Sequence, residues 1–282
     1  MKKQLQYFIR LVNFEFERMY KFLLGIMIIL ILSNFAGYII GPLNYVSKAN
    51  ETMKLESLST TQYIETYGSF SLETLTRSLW ILGPIALGII GFLFYSIFIW
   101  YREWLGKNTF IYRLLMLPTS RMHIYFAKLL IIFVGIFSLL SLQIISLWIG
   151  SFIISSLTPP EFFSAMTVSE VVRTGIIFPM ILPNTLEVFL GIYSLGLVAI
   201  SVLFTIILLE RSYRIKGFLL GIFYALASIG FIISPNLVSL IAKNNYILFN
   251  SELIIIVVIF ALIVGLVSLL ISRYLLKNKI TV

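Results

Sequence analysis

The sequence predicts an all-α integral membrane protein with six transmembrane helices, an amphipathic N-terminal helix lying in the membrane interface, and a short helix on the cytoplasmic side. A mean hydropathy of +1.01 with only 12% charged residues is beyond what a water-soluble domain sustains. Six mainly apolar runs are long enough to cross roughly 30 Å of hydrocarbon. Lysine and arginine collect in alternate connections, the bias that orients spanning helices.

Residues 1–21 place Leu5, Phe8, Ile9, Val12, Phe16, Met19 and Tyr20 at helical spacing, with Lys2, Lys3, Gln6, Arg10, Asn13 and Glu17 between them. This pattern predicts an interfacial helix that turns into the first span. Spans are expected at 22–41, 79–100, 129–157, 188–209, 217–233 and 253–271, in a single transmembrane domain covering 1–282. The first apolar run has a long lead and no small-residue cleavage pattern behind it, so it reads as a retained span. The fifth run is the shortest and can extend through Pro235 to Ile241.

Two longer connections are expected outside. The first, 42–78, is polar and carries Glu51, Glu56, Glu65 and Glu73. The second, 158–187, contains Pro159-Pro160, a short helix expected at Ser169 to Arg173, and an apolar piece from Gly175 to Leu182 too short to span. Asn184-Thr185-Leu186-Glu187 has the spacing of a capping box opening the fourth span, which gives Glu187 a structural role. Gln143 reads as an interhelical hydrogen-bonding residue of the third span.

The basic residues set the orientation. Five lie in the N-terminal segment, five between spans two and three, three between spans four and five, and three after span six. Only Lys48, Lys54, Arg77, Arg173 and Lys243 remain for the opposite side, so both termini are expected in the cytoplasm of a cell membrane protein. The net charge of +9 then reflects orientation and anionic headgroups, and gives no ground for nucleic acid as a partner.

With one histidine, no cysteine and no aspartate, the sequence lacks the residue sets for metal-dependent, aspartyl or thiol chemistry. It also lacks a P-loop, so the chain is expected not to be an enzyme and to bind neither ATP nor metal itself.

The connection 101–128 is the most informative stretch. Trp100, Tyr101 and Trp104 anchor the second span at headgroup depth, Gly106 permits a turn, and Asn108 or Thr109 can cap a helix from Phe110 to Leu117 that Pro118 stops. Arg102-Glu103, Gly106, Thr109, Arg113-Leu114-Leu115, Leu117-Pro118-Thr119-Ser120-Arg121 and Ala127-Lys128 follow one another in an order that resembles the cytoplasmic signature of the type-two family of ABC exporter permeases. Lys107-Asn108 stand where that family often has Ser-Gly, and Thr109 falls one position late.

The resemblance implies the membrane subunit of an ATP-driven exporter, working as a homo- or heterodimer with a separate ATPase that binds ATP and Mg. The implied substrate is hydrophobic or amphipathic, most readily a peptide such as a toxin or antimicrobial. The stretch from Glu103 to Leu117 would be the coupling helix, with Glu103, Lys107, Thr109, Tyr112 and Arg113 facing the ATPase. Phe110, Leu114 and Leu117, at i, i+4 and i+7, would pack on the spans, ahead of the stop at Pro118. Tyr95 and Tyr224 combine an aromatic face with a polar tip inside a span and are candidates for the substrate path. The alternative reading is a non-transporting immunity or sensor protein that binds such a peptide.

Overall fold

The computed structural model describes residues 2–105, 110–117, 119–175, 177–241 and 250–280, with side chains for all of these except 2, 3, 112, 239–241, 250 and 251. Eleven helices are described: α1 Lys2–Glu56, α2 Thr60–Tyr67, α3 Leu72–Thr76, α4 Leu79–Trp104, α5 Phe110–Leu115, α6 Arg121–Leu157, α7 Val168–Thr174, α8 Phe178–Ile181, α9 Leu186–Tyr213, α10 Ile215–Ile241 and α11 Asn250–Asn278. Six of them, α1, α4, α6, α9, α10 and α11, are long and apolar enough to cross a membrane. The chain is a helical multi-pass membrane protein.

Every expected span has its helix, and the fifth takes the longer option, through Pro235 to Ile241. The first differs. No turn separates an interfacial helix from the first span: α1 is one helix of 55 residues that runs on past Pro42. At ~1.5 Å per residue it is about 80 Å long, more than twice the hydrocarbon thickness. It ends at Ser57, whose φ of 51° is left-handed, and the Leu58 amide donates back to the Met53 carbonyl at 3.1 Å. That geometry closes the open carbonyls of a helix end.

The chain divides into two compact units. One contains residues 19–91 and 134–186. Its core gathers Tyr38, Phe70, Leu75, Ile81, Leu147, Ile154, Val171 and Phe178. Phe70 exchanges backbone hydrogen bonds with Phe162 and Ser164 (2.8 and 3.0 Å), which fastens the segment before α3 to the segment before α7. Capping boxes at Ser59/Gln62 and Thr167/Glu170 start α2 and α7, the latter matching the short helix expected near Ser169. Inside this unit α1 and α6 share a polar seam. Asn34 Nδ2 donates to Gln143 Oε1 at 3.0 Å and to Ser146 Oγ at 2.9 Å, and the Tyr38 hydroxyl lies 3.2 Å from Ser146 Oγ. Gln143 thus has the interhelical role its position suggested.

The other unit contains residues 1–18, 92–133 and 187–282. Here α9 packs on α11 through Val198, Ala261 and Val264, and Thr205 Oγ1 meets Ser272 Oγ at 3.0 Å. Trp100 of α4 and Tyr125 of α6 each meet Phe204 of α9 edge-to-face and lie tilted against one another. The helix α9 begins at Leu186 and carries Glu187 exposed in its first turn.

Candidate functional site

Where α1, α4 and α6 meet in the second unit, five charged side chains converge. Lys128 of α6 donates to Glu15 Oε1 of α1 at 2.5 Å, to Glu103 Oε1 of α4 at 2.9 Å and to the Ile99 carbonyl at 3.1 Å. Those three acceptors use all three ammonium protons. Arg18, one turn beyond Glu15, donates to Glu103 Oε1 at 2.8 Å, and Arg102 donates to Glu15 Oε2 at 2.9 Å. Lys128 and Glu103 are 0% exposed and Glu15 is 2% exposed. Buried charges persist only when paired, and these are paired across three helices.

The cluster reaches the short helix α5 through Arg18. Its guanidinium lies 4.9 Å from the Phe14 ring centroid and 5.4 Å from that of Phe110, and the two rings stack at 5.6 Å. α5 therefore has a continuous path of contacts through Arg18 to the paired carboxylates and Lys128. Two carboxylates meet three cations, so the cluster carries one net positive charge, and Glu103 Oε2 and Arg102 Nε have no hydrogen-bond partner among the described residues.

The expected site residues are only partly where the sequence put them. Arg113 is exposed and Leu114 is buried, in keeping with an Arg113 turned partly away from the packed side of α5. Phe110 is half-buried on Phe14. Leu117, expected to pack inward, is 39% exposed, because α5 stops at Leu115 and the inward place one turn earlier is taken by Ile111. Glu103, expected to face outward, is instead buried, because Lys128 and Arg18 draw its carboxylate into the chain. Lys107, Thr109 and Pro118 lie outside the described residues, as does the side chain of Tyr112. Tyr95 is buried with its ring edge-on to Phe92, and the half-buried Tyr224 shares a 2.6 Å hydrogen bond with Ser268.

Sequence reasoning missed Glu15, Arg18, Arg102 and Lys128 as a set. A signal was present in the spacing, since Glu15 stands at i+4 from Leu11 and i−4 from Met19, both buried, and so falls on the inward stripe of α1. Among the described residues no group of three or more His, Cys, Asp or Glu could hold a metal. No protein-family model, curated protein or solved structure matches the chain.

Proposed function

We propose that this protein is the membrane-spanning subunit of an ATP-driven exporter, with both termini in the cytoplasm of a cell membrane. It moves a hydrophobic or amphipathic peptide and is powered by a separate ATPase that binds ATP and Mg. The observation that carries this reading is α5: a short helix held between two span-length helices, with Arg113 outward, Ile111 and Leu114 inward, and a direct link through Phe110 to the charge cluster. An element so attached moves α1, α4 and α6 when a partner displaces it. In the signature, Glu103 and the later Lys128 are separated in sequence, and their 2.9 Å ion pair gives both a shared purpose at the base of this helix.

In this reading α5 is the coupling helix, Arg113 meets the ATPase together with Lys107, Thr109 and Tyr112 of the same stretch, and a second permease subunit completes the path. The buried Glu103 supports the coupling helix from within. Arg113→Glu tests the reading. It is expected to weaken co-purification of the ATPase in mild detergent and to lower peptide-stimulated ATP hydrolysis, with insertion unchanged, because charge complementarity at an interface sets docking and register. Undiminished ATPase binding and transport by this variant would remove α5 from the interface.

A further inference from the structure

We propose that the turn joining α9 and α10 binds the headgroup of an anionic phospholipid, with Arg211 and Arg214 holding the phosphate and Ile215 and Phe218 receiving the start of an acyl chain. A cavity of about 550 Å³ opens there, lined by Trp104, Glu210, Arg211, Arg214, Ile215 and Phe218. It lies at the ends of two helices of span length, which is headgroup depth for a chain of this kind.

The turn is built to present its arginines. α9 ends at Tyr213 and α10 begins at Ile215, so Arg214 alone makes the reversal. Its φ of 55° lies in the left-handed region, where glycine is the unstrained occupant. A residue that strains the backbone here has a use for its side chain. Gly217 fixes the geometry, because a Cβ at that position would run into the Leu209 carbonyl; α10 crosses α9 too closely for any side chain.

Arg211 is held by its face: its guanidinium carbon lies 4.5 Å from the Tyr101 ring centroid and 5.4 Å from that of Trp104. Stacking of this kind leaves the guanidinium N–H groups in their own plane, where they can reach a phosphate and grip it through two oxygens. Among the described residues neither Arg211 nor Arg214 forms a salt bridge. Glu210 instead accepts the Tyr101 hydroxyl. Ile215 and Phe218 are 81% and 51% exposed, and Leu219 beside them is 62% exposed. A soluble anion has no use for that apolar margin, whereas a lipid uses both halves of the site.

This site does not depend on the export reading, which decides only that its leaflet is the cytoplasmic one. The test uses the purified full-length chain in mild detergent, with bound lipid measured by native mass spectrometry against dioleoyl phosphatidylglycerol, dioleoyl phosphatidylcholine and inorganic phosphate. Phosphatidylglycerol is expected to be retained, phosphatidylcholine not, and equimolar inorganic phosphate is expected not to displace it. Arg211→Gln with Arg214→Gln should weaken phosphatidylglycerol binding by about tenfold or more. Arg214→Gly guards against misfolding, since glycine accepts the left-handed turn; its unfolding temperature without lipid should equal or exceed that of the wild type while lipid binding falls. Equal retention of the two lipids, displacement by inorganic phosphate, or undiminished binding by either variant would overturn the proposal.

Discussion

Lys128 has the most demanding position of any side chain described. Its ammonium is wholly buried, and its cost there is offset by Glu15, Glu103 and the Ile99 carbonyl. Removing the cation alone leaves two carboxylates facing each other without it. Lys128→Met is therefore expected to destabilise the protein by about 3 to 5 kcal/mol, read as denaturant unfolding in detergent. Pairing it with Glu15→Gln should recover part of that loss, so the two changes together cost less than their sum. Strict additivity would mean that the two groups do not interact. The same burial separates Glu103 from Arg113: Glu103→Gln should lower the stability of the isolated chain, whereas Arg113, exposed on α5, should be replaceable without that effect.

Helix contacts in this protein turn on small residues as much as on charges. Gly150 of α6 lies directly against the Tyr38 ring of α1, one turn from Ser146, which meets the Tyr38 hydroxyl. Gly150→Ala drives a methyl group into that ring and is expected to cost about 1 to 3 kcal/mol. Gly25, with no atom near its missing side chain, is the matched control, and alanine there should be neutral or mildly stabilising. Comparable unfolding curves for the two variants would show that the α1–α6 contact tolerates expansion.

At α7 the sensitive feature is a cap. Hydrogen bonds from the Thr167 backbone amide and then its hydroxyl hold the exposed Glu170 carboxyl below the ordinary carboxylate range. The folded pKa is depressed, so the cap's contribution is present above the unfolded value and is lost as pH falls through the folded one. The protection factor of the Thr167 amide, its exchange rate compared with that of an unstructured amide at the same pH, should fall on acidification in the wild type, and should already be low and insensitive to acid in Glu170→Ala, which removes the acceptor.

At the scale of the whole chain, the arrangement of the six spans is open to direct labelling, because the sequence contains no cysteine. Single cysteines at Glu65 and Ala165 are expected to react with a membrane-impermeant thiol reagent added to intact cells, and one at Asn278 is not. All three positions are exposed on the chain, so failure to react reports the membrane and not burial. Labelling at Asn278 would reverse the orientation. α1 deserves a place in the same experiment: at 55 residues it carries the chain well past the bilayer, and a cysteine at Glu51 on its far end should label with the outer pair.

Six spans and their helical character were legible from the sequence, because apolar length and the demand that backbone groups be satisfied in hydrocarbon leave only helices of about twenty residues or more. A short helix from Phe110 was legible as well, although it ends at Leu115 and not at Leu117. What the sequence left open was which charged residues turn inward. Lys128 and Glu103 sit in stretches whose local pattern suits a headgroup position, and Glu15 stands among residues that alternate in polarity. Only the convergence of α1, α4 and α6 decided that these three would be buried together, because the pairing energy comes from residues 25 and 113 positions apart, a separation on which helical periodicity carries no information. The same reason explains α1: local amphipathicity suggested a break near residue 21, and burial of Met19, Leu23 and Ile26 along one stripe kept the helix whole.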